Sequence, residues 1–220
     1  MTDIADAADT SSTSSTSGTV IEVFADIGCP FTHVGLRRLV ERRREAGRLD
    51  VALRVRAWPL EIVNGEPLDP HFIAEEVDDI RAQVAPSLFE GFRESAFPTS
   101  SLPALALVEA GYRSSLAVGE QLSLELRDLL FEHGEAVGSP EVLARLADEH
   151  GLVVGDEDVA AVRAAHAEGV RRGVIGSPHF FTRAGGFFCP ALDVHRDDEG
   201  HLRIVPDPEA FDAFVSTCFA

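Results

Sequence analysis

Cys29 is the residue whose setting most plainly calls for chemistry. It lies in the run Phe24-Ala25-Asp26-Ile27-Gly28-Cys29-Pro30-Phe31-Thr32-His33-Val34-Gly35-Leu36. Residues 20–25 are β-branched and aromatic with one charge, the pattern of a short buried strand. Pro30 suits the first position of a helix, where its missing N–H would be unpaired in any case. Phe31, Val34, Leu36, Leu39 and Val40 then continue at helical spacing. A sulfur at that helix mouth meets free N–H groups and the positive end of the dipole, which favour the nucleophilic thiolate. The expectation is that Cys29 ionises well below the ~8.5 of a free thiol. The hydroxyl of Thr32 can hydrogen-bond a thiolate, but it cannot attack a disulfide as a second thiol would. His33, one turn along, could add its charge to the same site.

The elements that must hold this segment follow along the chain. After Gly47, residues 51–57 alternate like a second strand, which Trp58-Pro59 ends. From Asn64-Gly65 the signals turn helical, with apolar helical spacing over 116–131 and 142–146. Ser139-Pro140 is a cap followed by a first-turn proline, and Asp156 is read as the cap of a further helix. Strand character returns at 178–182. Gly185-Gly186 then turns into Phe187-Phe188-Cys189 as a hairpin, and a last helix covers about 209–219. Gly176 and the β-rich run after it make Pro178 a strand-entry proline, the one residue type for which a cis bond costs little. Removing the helical stretch leaves a small α/β unit with its cysteine at the end of the first strand.

Composition narrows the chemistry. The 220 residues carry 37 acidic and 19 basic side chains, a net charge of −18, which argues against nucleic acid and against anionic membranes. No lysine occurs, which removes Schiff-base and phosphate-loop lysine chemistry. Six of the nineteen arginines fall between Arg37 and Arg48 and read as a solvated helix face paired with Glu41 and Glu45. The eight histidines show no metal-ligand spacing, so no metal is expected. Three cysteines do not make a disulfide framework, and no stretch approaches the ~20 apolar residues of a membrane span. Residues 10–17 are an unbroken Ser/Thr run, so 1–18 reads as a disordered tail without a secretory plan. A cytoplasmic, reduced setting is the expectation.

Together these segments resemble the DsbA-like family of the thioredoxin superfamily. The resemblance rests on residues 24–35, on Arg56-Ala57-Trp58-Pro59-Leu60, and on Gly173-Val174-Ile175-Gly176-Ser177-Pro178-His179-Phe180-Phe181. It implies an α/β thioredoxin-like fold with an inserted all-helical domain: 19–63 and 157–220 as the thioredoxin-like part, 64–156 as the insertion. It also implies a cis Pro178 beside Cys29, with Pro178 and Ser177 pairing to the backbone of a substrate. The family's dithiol enzymes use Cys-x-x-Cys, and the fourth position here is Thr32. The chain is similar also to 2-hydroxychromene-2-carboxylate isomerases and kappa-class glutathione transferases, in which Ser-Pro replaces Cys-Pro. Their Asp-Arg pair after the hairpin strand has no counterpart at Cys189-Pro190-Ala191-Leu192, which disfavours glutathione held in that way.

The expected function is a monothiol oxidoreductase in which Cys29, Thr32 and Pro178 are catalytic. Phe31, His33, Trp58, Ser177, His179 and Cys189 would shape the substrate cleft. Cys189 is placed on the same side as Cys29, as an inert thiol, a distant resolving thiol or a substrate contact. The partner would be a small thiol or disulfide, with no tightly bound cofactor beyond a low-molecular-weight thiol. The oligomeric state stays open, a homodimer included. The alternatives are a thiol-cofactor-dependent isomerase or transferase, and a non-catalytic binding module.

Overall fold

The structure, a computed structural model, describes residues 18–198 and 201–220. Most of the expected Ser/Thr tail, residues 1–17, lies outside the described residues.

Strand β1 (Val20–Ala25) is the inner strand that carries the chain into the site. Val23, Phe24 and Ala25 are all buried, as befits a strand covered on both faces. Helix α1 (Pro30–Glu45) crosses over to β2 (Ala52–Ala57), which pairs parallel to β1 from Val20↔Ala52 to Ala25↔Ala57. In β2 the side chains alternate: Leu53, Val55 and Ala57 point inward while Arg54 and Arg56 point outward.

Helices α2 (Leu60–Asn64), α3 (Pro70–Gln83), α4 (Leu102–Ser114), α5 (Leu116–Phe131), α6 (Pro140–Glu149) and α7 (Asp156–Arg172) follow before the sheet resumes. α5 covers the stretch 116–131 expected from its spacing, and Ser139 caps α6 by accepting the Val142 N–H at 3.3 Å. The expected cap at Asp156 is corrected. Gly155 is the cap residue of α7, and Asp158 closes the turn by accepting the Gly155 N–H at 2.8 Å.

β3 (His179–Thr182) pairs antiparallel to β1, and β4 (Gly185–Phe188) pairs antiparallel to β3, giving the order β2-β1-β3-β4. A second hairpin, β5 (Leu192–Arg196) with β6 (Leu202–Pro206), precedes α8 (Pro208–Cys218). That hairpin was not expected. Only its Leu192, Leu202 and Ile204 are fully buried, so the alternation it leaves in the sequence is faint.

The helical segment is fastened to the sheet through the open edge of β2. Tyr112 of α4 accepts the Val55 N–H at 2.7 Å and donates to the Leu53 carbonyl at 3.1 Å. Glu120 of α5 accepts the Leu53 N–H at 2.7 Å. Backbone groups that would otherwise be free for another chain are thus paired internally. The α1 arginines also reach further than expected: Arg37 meets Asp128 at 3.0 Å, Arg43 meets Glu120 at 2.6 Å and Arg42 meets Asp212 at 2.7 Å. These partners lie on α5 and α8, so only the Arg42–Glu45 contact at 3.9 Å follows the expected local pairing.

Candidate functional site

Cys29 is the cap residue of α1, immediately after β1, with Pro30 opening the helix. Its side chain makes no cap hydrogen bond. Instead the thiol donates to the Ser177 carbonyl at 3.1 Å. The peptide bond between Ser177 and Pro178 is cis, and the ring of Pro178 packs beside Gly35 of α1. The Ser177 hydroxyl accepts the Asp26 N–H at 3.0 Å and shares a hydrogen bond of 2.8 Å with the Thr32 hydroxyl. Four expected site residues, Cys29, Thr32, Ser177 and Pro178, are therefore contiguous. In this structure the Ser177 carbonyl accepts from the cysteine thiol on one of its two lone pairs.

The expected low ionisation of Cys29 is corrected. The residue is 4% exposed, and burial pushes its thiol up. Hydrogen bonds from Thr32 and Ser177 act the other way without overcoming it, and the negative charge of Glu76 adds to the rise. A helix N-terminus favours an anion, yet here the sulfur has lost its water and its proton is held by a carbonyl.

Beneath Cys29 lies a polar floor that sequence reasoning missed. The Asp26 carboxyl, fully buried, accepts from the Gly28 N–H at 2.8 Å, the Leu60 N–H at 2.7 Å and the Ser101 hydroxyl at 3.0 Å. Burial nonetheless pushes that carboxyl up. Arg127, also fully buried, donates to the Asp26 carbonyl at 2.9 Å and to the carbonyl and hydroxyl of Ser123. Its one sequence signal is a basic residue on the buried face of α5, beside Leu122, Leu126 and Leu130. Glu76, on the stripe of α3 shared with Ile73, Val77 and Ile80, is pushed up to about 7 by burial.

Three further expectations are corrected. His33 turns into the helical segment, where its Nε2 meets Glu132 at 2.6 Å and its ring packs on Phe89 and Phe131. Burial holds it neutral-leaning, below its ordinary value, so it brings no charge to the sulfur. Trp58 packs edge-on against Phe24 and beside His166, with its ring close against Gly169. His179 stacks flat on Phe181 at 4.8 Å and accepts the Ile175 N–H through Nδ1. Its role is to hold the loop before Pro178.

Phe31 and Cys189 remain at the site. With Ser177 they line a cavity of about 580 Å³, whose walls include Phe188, Leu192 and Val194. Phe188 lies over the proline loop, where a Cβ on Gly176 would fall 2.6 Å from its ring, so a larger residue there would push the ring aside. Cys189 adopts a left-handed backbone with φ 42° and donates its N–H to the Pro178 carbonyl at 3.0 Å. Both cysteines thus bond to consecutive carbonyls of one loop. Burial pushes the Cys189 thiol up to about 12, so at neutral pH it is protonated and a weak nucleophile.

The profile of the DSBA-like thioredoxin domain matches residues 20–196. No curated protein matches by sequence. Among solved structures, the cytosolic disulfide reductase DsbM from Pseudomonas aeruginosa is similar, with a TM-score of 0.60 at 16% identity over 90% of this chain and 97% of that one. The same protein with GSH gives a TM-score of 0.55 at 16% identity over 90% and 98%. A 2-hydroxychromene-2-carboxylate isomerase gives a TM-score of 0.57 at 15% identity over 77% of this chain and 88% of that one. At such identities the likeness speaks for the fold. Among the described residues, no helix is long and apolar enough to cross a membrane.

Proposed function

The chain belongs to the DSBA-like thioredoxin domain family, and from that premise we propose that it is a monothiol oxidoreductase forming a mixed disulfide at Cys29. The observation that carries the reading is the pairing of Cys29 with the cis Ser177–Pro178 loop at 3.1 Å, in a motif whose fourth position is Thr32. On this reading the Cys29 sulfur, once deprotonated, attacks one sulfur of a small disulfide. A Cys29–S–S–R bond forms, the old S–S bond breaks, and the leaving thiolate departs with the bonding pair and takes up a proton. A second molecule of small thiol then attacks the adduct and frees Cys29. Thr32 and Ser177 supply hydroxyls that follow the sulfur from thiol to thiolate. The reading places the chain in the reducing cytoplasm, acting on a small thiol or disulfide with no tightly bound cofactor.

Intact mass after exposure to a small disulfide tests it. One adduct on Cys29, absent from Cys29→Ser, is expected. No adduct on Cys29 at any pH up to about 9 would overturn it.

The protonated state of Cys29 favours a second reading. A buried S–H flanked by two hydroxyls is a set of donors for an external thiolate, so the chain could hold a low-molecular-weight thiol that itself performs an isomerisation. Activity kept in Cys29→Ser without mixed-disulfide formation would select this reading over the first.

A further inference from the structure

We propose that the cavity beside Cys29 selects small disulfides with an apolar stem and a cationic end, and that Asp193 and Asp207 are the residues that set this preference. The inference rests on the mixed-disulfide reading and adds the substrate class to it.

The cavity of about 580 Å³ has room for a disulfide with two short arms. It adjoins Cys29 through Ser177, and its apolar walls are Phe31, Phe188, Leu192 and Val194. The charged side chains that line it are Asp193 and Asp207, both acidic. They come from separate elements. Asp193 belongs to β5, and Asp207 caps α8 by accepting the Ala210 N–H at 2.9 Å. Asp193 is 66% exposed, with His195 at 3.6 Å, so it faces the mouth and not the floor.

Of the basic groups nearby, Arg38 and Arg127 are engaged elsewhere. Arg38 donates to the carbonyls of Val84 and Ala191 at 3.1 Å each, and Arg127 is fully buried on the Asp26 carbonyl. Glu76 adds a further negative charge toward Cys29. A carboxylate-bearing disulfide such as oxidised glutathione would enter this mouth against like charge, and the chain's net charge of −18 opposes its approach. An ammonium group on a short carbon stem meets the opposite conditions: apolar walls for the stem and carboxylates for the head.

The test uses the full chain and three symmetric disulfides: cystamine, hydroxyethyl disulfide and dithiodipropionate, carrying positive, no and negative charge. Adduct formation at Cys29 is followed by intact mass. Each rate is divided by that of the same disulfide with mercaptoethanol, which removes intrinsic reactivity. The normalised preference for cystamine over dithiodipropionate is expected at roughly tenfold, from exposed pairs acting at two carboxylates. It should shrink several-fold in D193N/D207N, in which asparagine keeps the α8 cap. In the wild type it should shrink likewise at about 1 M salt, where the screening length is about 3 Å. The salt measurement stands even if the double variant folds poorly. A normalised ratio near one, or a ratio unmoved by both the variant and salt, would overturn the charge selection alone. Absence of an adduct with all three disulfides would overturn the mixed-disulfide reading beneath it.

Discussion

A thiol at a helix N-terminus experiences two opposed influences, and at Cys29 burial is the stronger. The sulfur has lost its water, its proton is held by the Ser177 carbonyl, and the negative charge of Glu76 adds to the rise. The Thr32 and Ser177 hydroxyls work in the other direction and soften the effect. Reactivity should therefore appear only as the pH is raised. Alkylation of Cys29 is expected to rise with a midpoint above the ~8.5 of a free thiol, and a midpoint at or below that value would contradict the buried geometry. Glu76→Gln removes the opposing charge. It should move the midpoint down and speed alkylation near pH 8 by about two- to fivefold, the usual scale of a partly screened charge. An unchanged profile would show that Glu76 does not act on the sulfur.

At the scale of elements, the β1–α1 junction decides how many thiols can take part. The first turn of α1 presents position 32 toward Ser177, with the Thr32 hydroxyl 2.8 Å from that of Ser177. Thr32→Cys should place a second sulfur one turn from Cys29 and install dithiol-dependent disulfide reduction. The wild-type adduct should persist until a small thiol is added, and a wild-type adduct that resolves unaided would mean that another thiol of the chain, such as Cys189, resolves it. This junction was legible in the sequence because everything it needs is local: an apolar strand, a cysteine, a first-turn proline and helical spacing after it. The loop at Ser177–Pro178 was legible as a strand entry through its glycine, proline and β-rich continuation, while its place beside Cys29 was implied only by the family resemblance. Arg127 and Glu76 were not. Each sits on a helix of ordinary amphipathic character, and only packing brings Arg127 onto the Asp26 carbonyl and the charge of Glu76 within the influence of Cys29. His33 misled for the converse reason. Its spacing from Cys29 suits the site, but Glu132, Phe89 and Phe131 supply a better partner on the other side of α1. Glu132 in turn would be raised by its burial, yet the hydrogen bonds from His33 and the Phe89 N–H hold it below its ordinary range.

The whole molecule depends on how the helical segment grips the sheet and on how its buried acids titrate. Tyr112→Phe leaves the Val55 N–H and the Leu53 carbonyl without their partner at the edge of β2. The expected loss is about 1–3 kcal/mol in denaturant unfolding, and a change within a few tenths would show that water reaches the edge freely. The pH dependence follows from the direction of each shift. Hydrogen bonding to Arg113 holds the Asp158 carboxyl below its ordinary value, and Glu22, despite its burial, is held low by Arg172 and Arg56. The stability these two contribute is present above the ordinary carboxylate range and lost as the pH falls below it. Glu76 has the opposite sign. Its folded value of about 7 lies above the ordinary 4.5, so the folded chain keeps a proton that the unfolded chain releases. That contribution is full below about pH 4.5 and fades as the pH rises to about 7, a loss of up to about 3 kcal/mol. Asp26, raised by burial, pulls the same way. Cys189 and Cys218, each pushed up to about 12 by burial, then favour unfolding from about pH 8.5 upward. Self-repulsion from a net charge of −18 at neutral pH reinforces both declines. Denaturant midpoints should therefore be highest near about pH 5, lower at 7 and lower again above 9, with Glu76→Gln flattening the first decline and leaving the second. A midpoint that rises from pH 5 to 7 would show that Glu76 and Asp26 are ionised in the folded chain at no cost, and that the sulfur above them sits in a far wetter site.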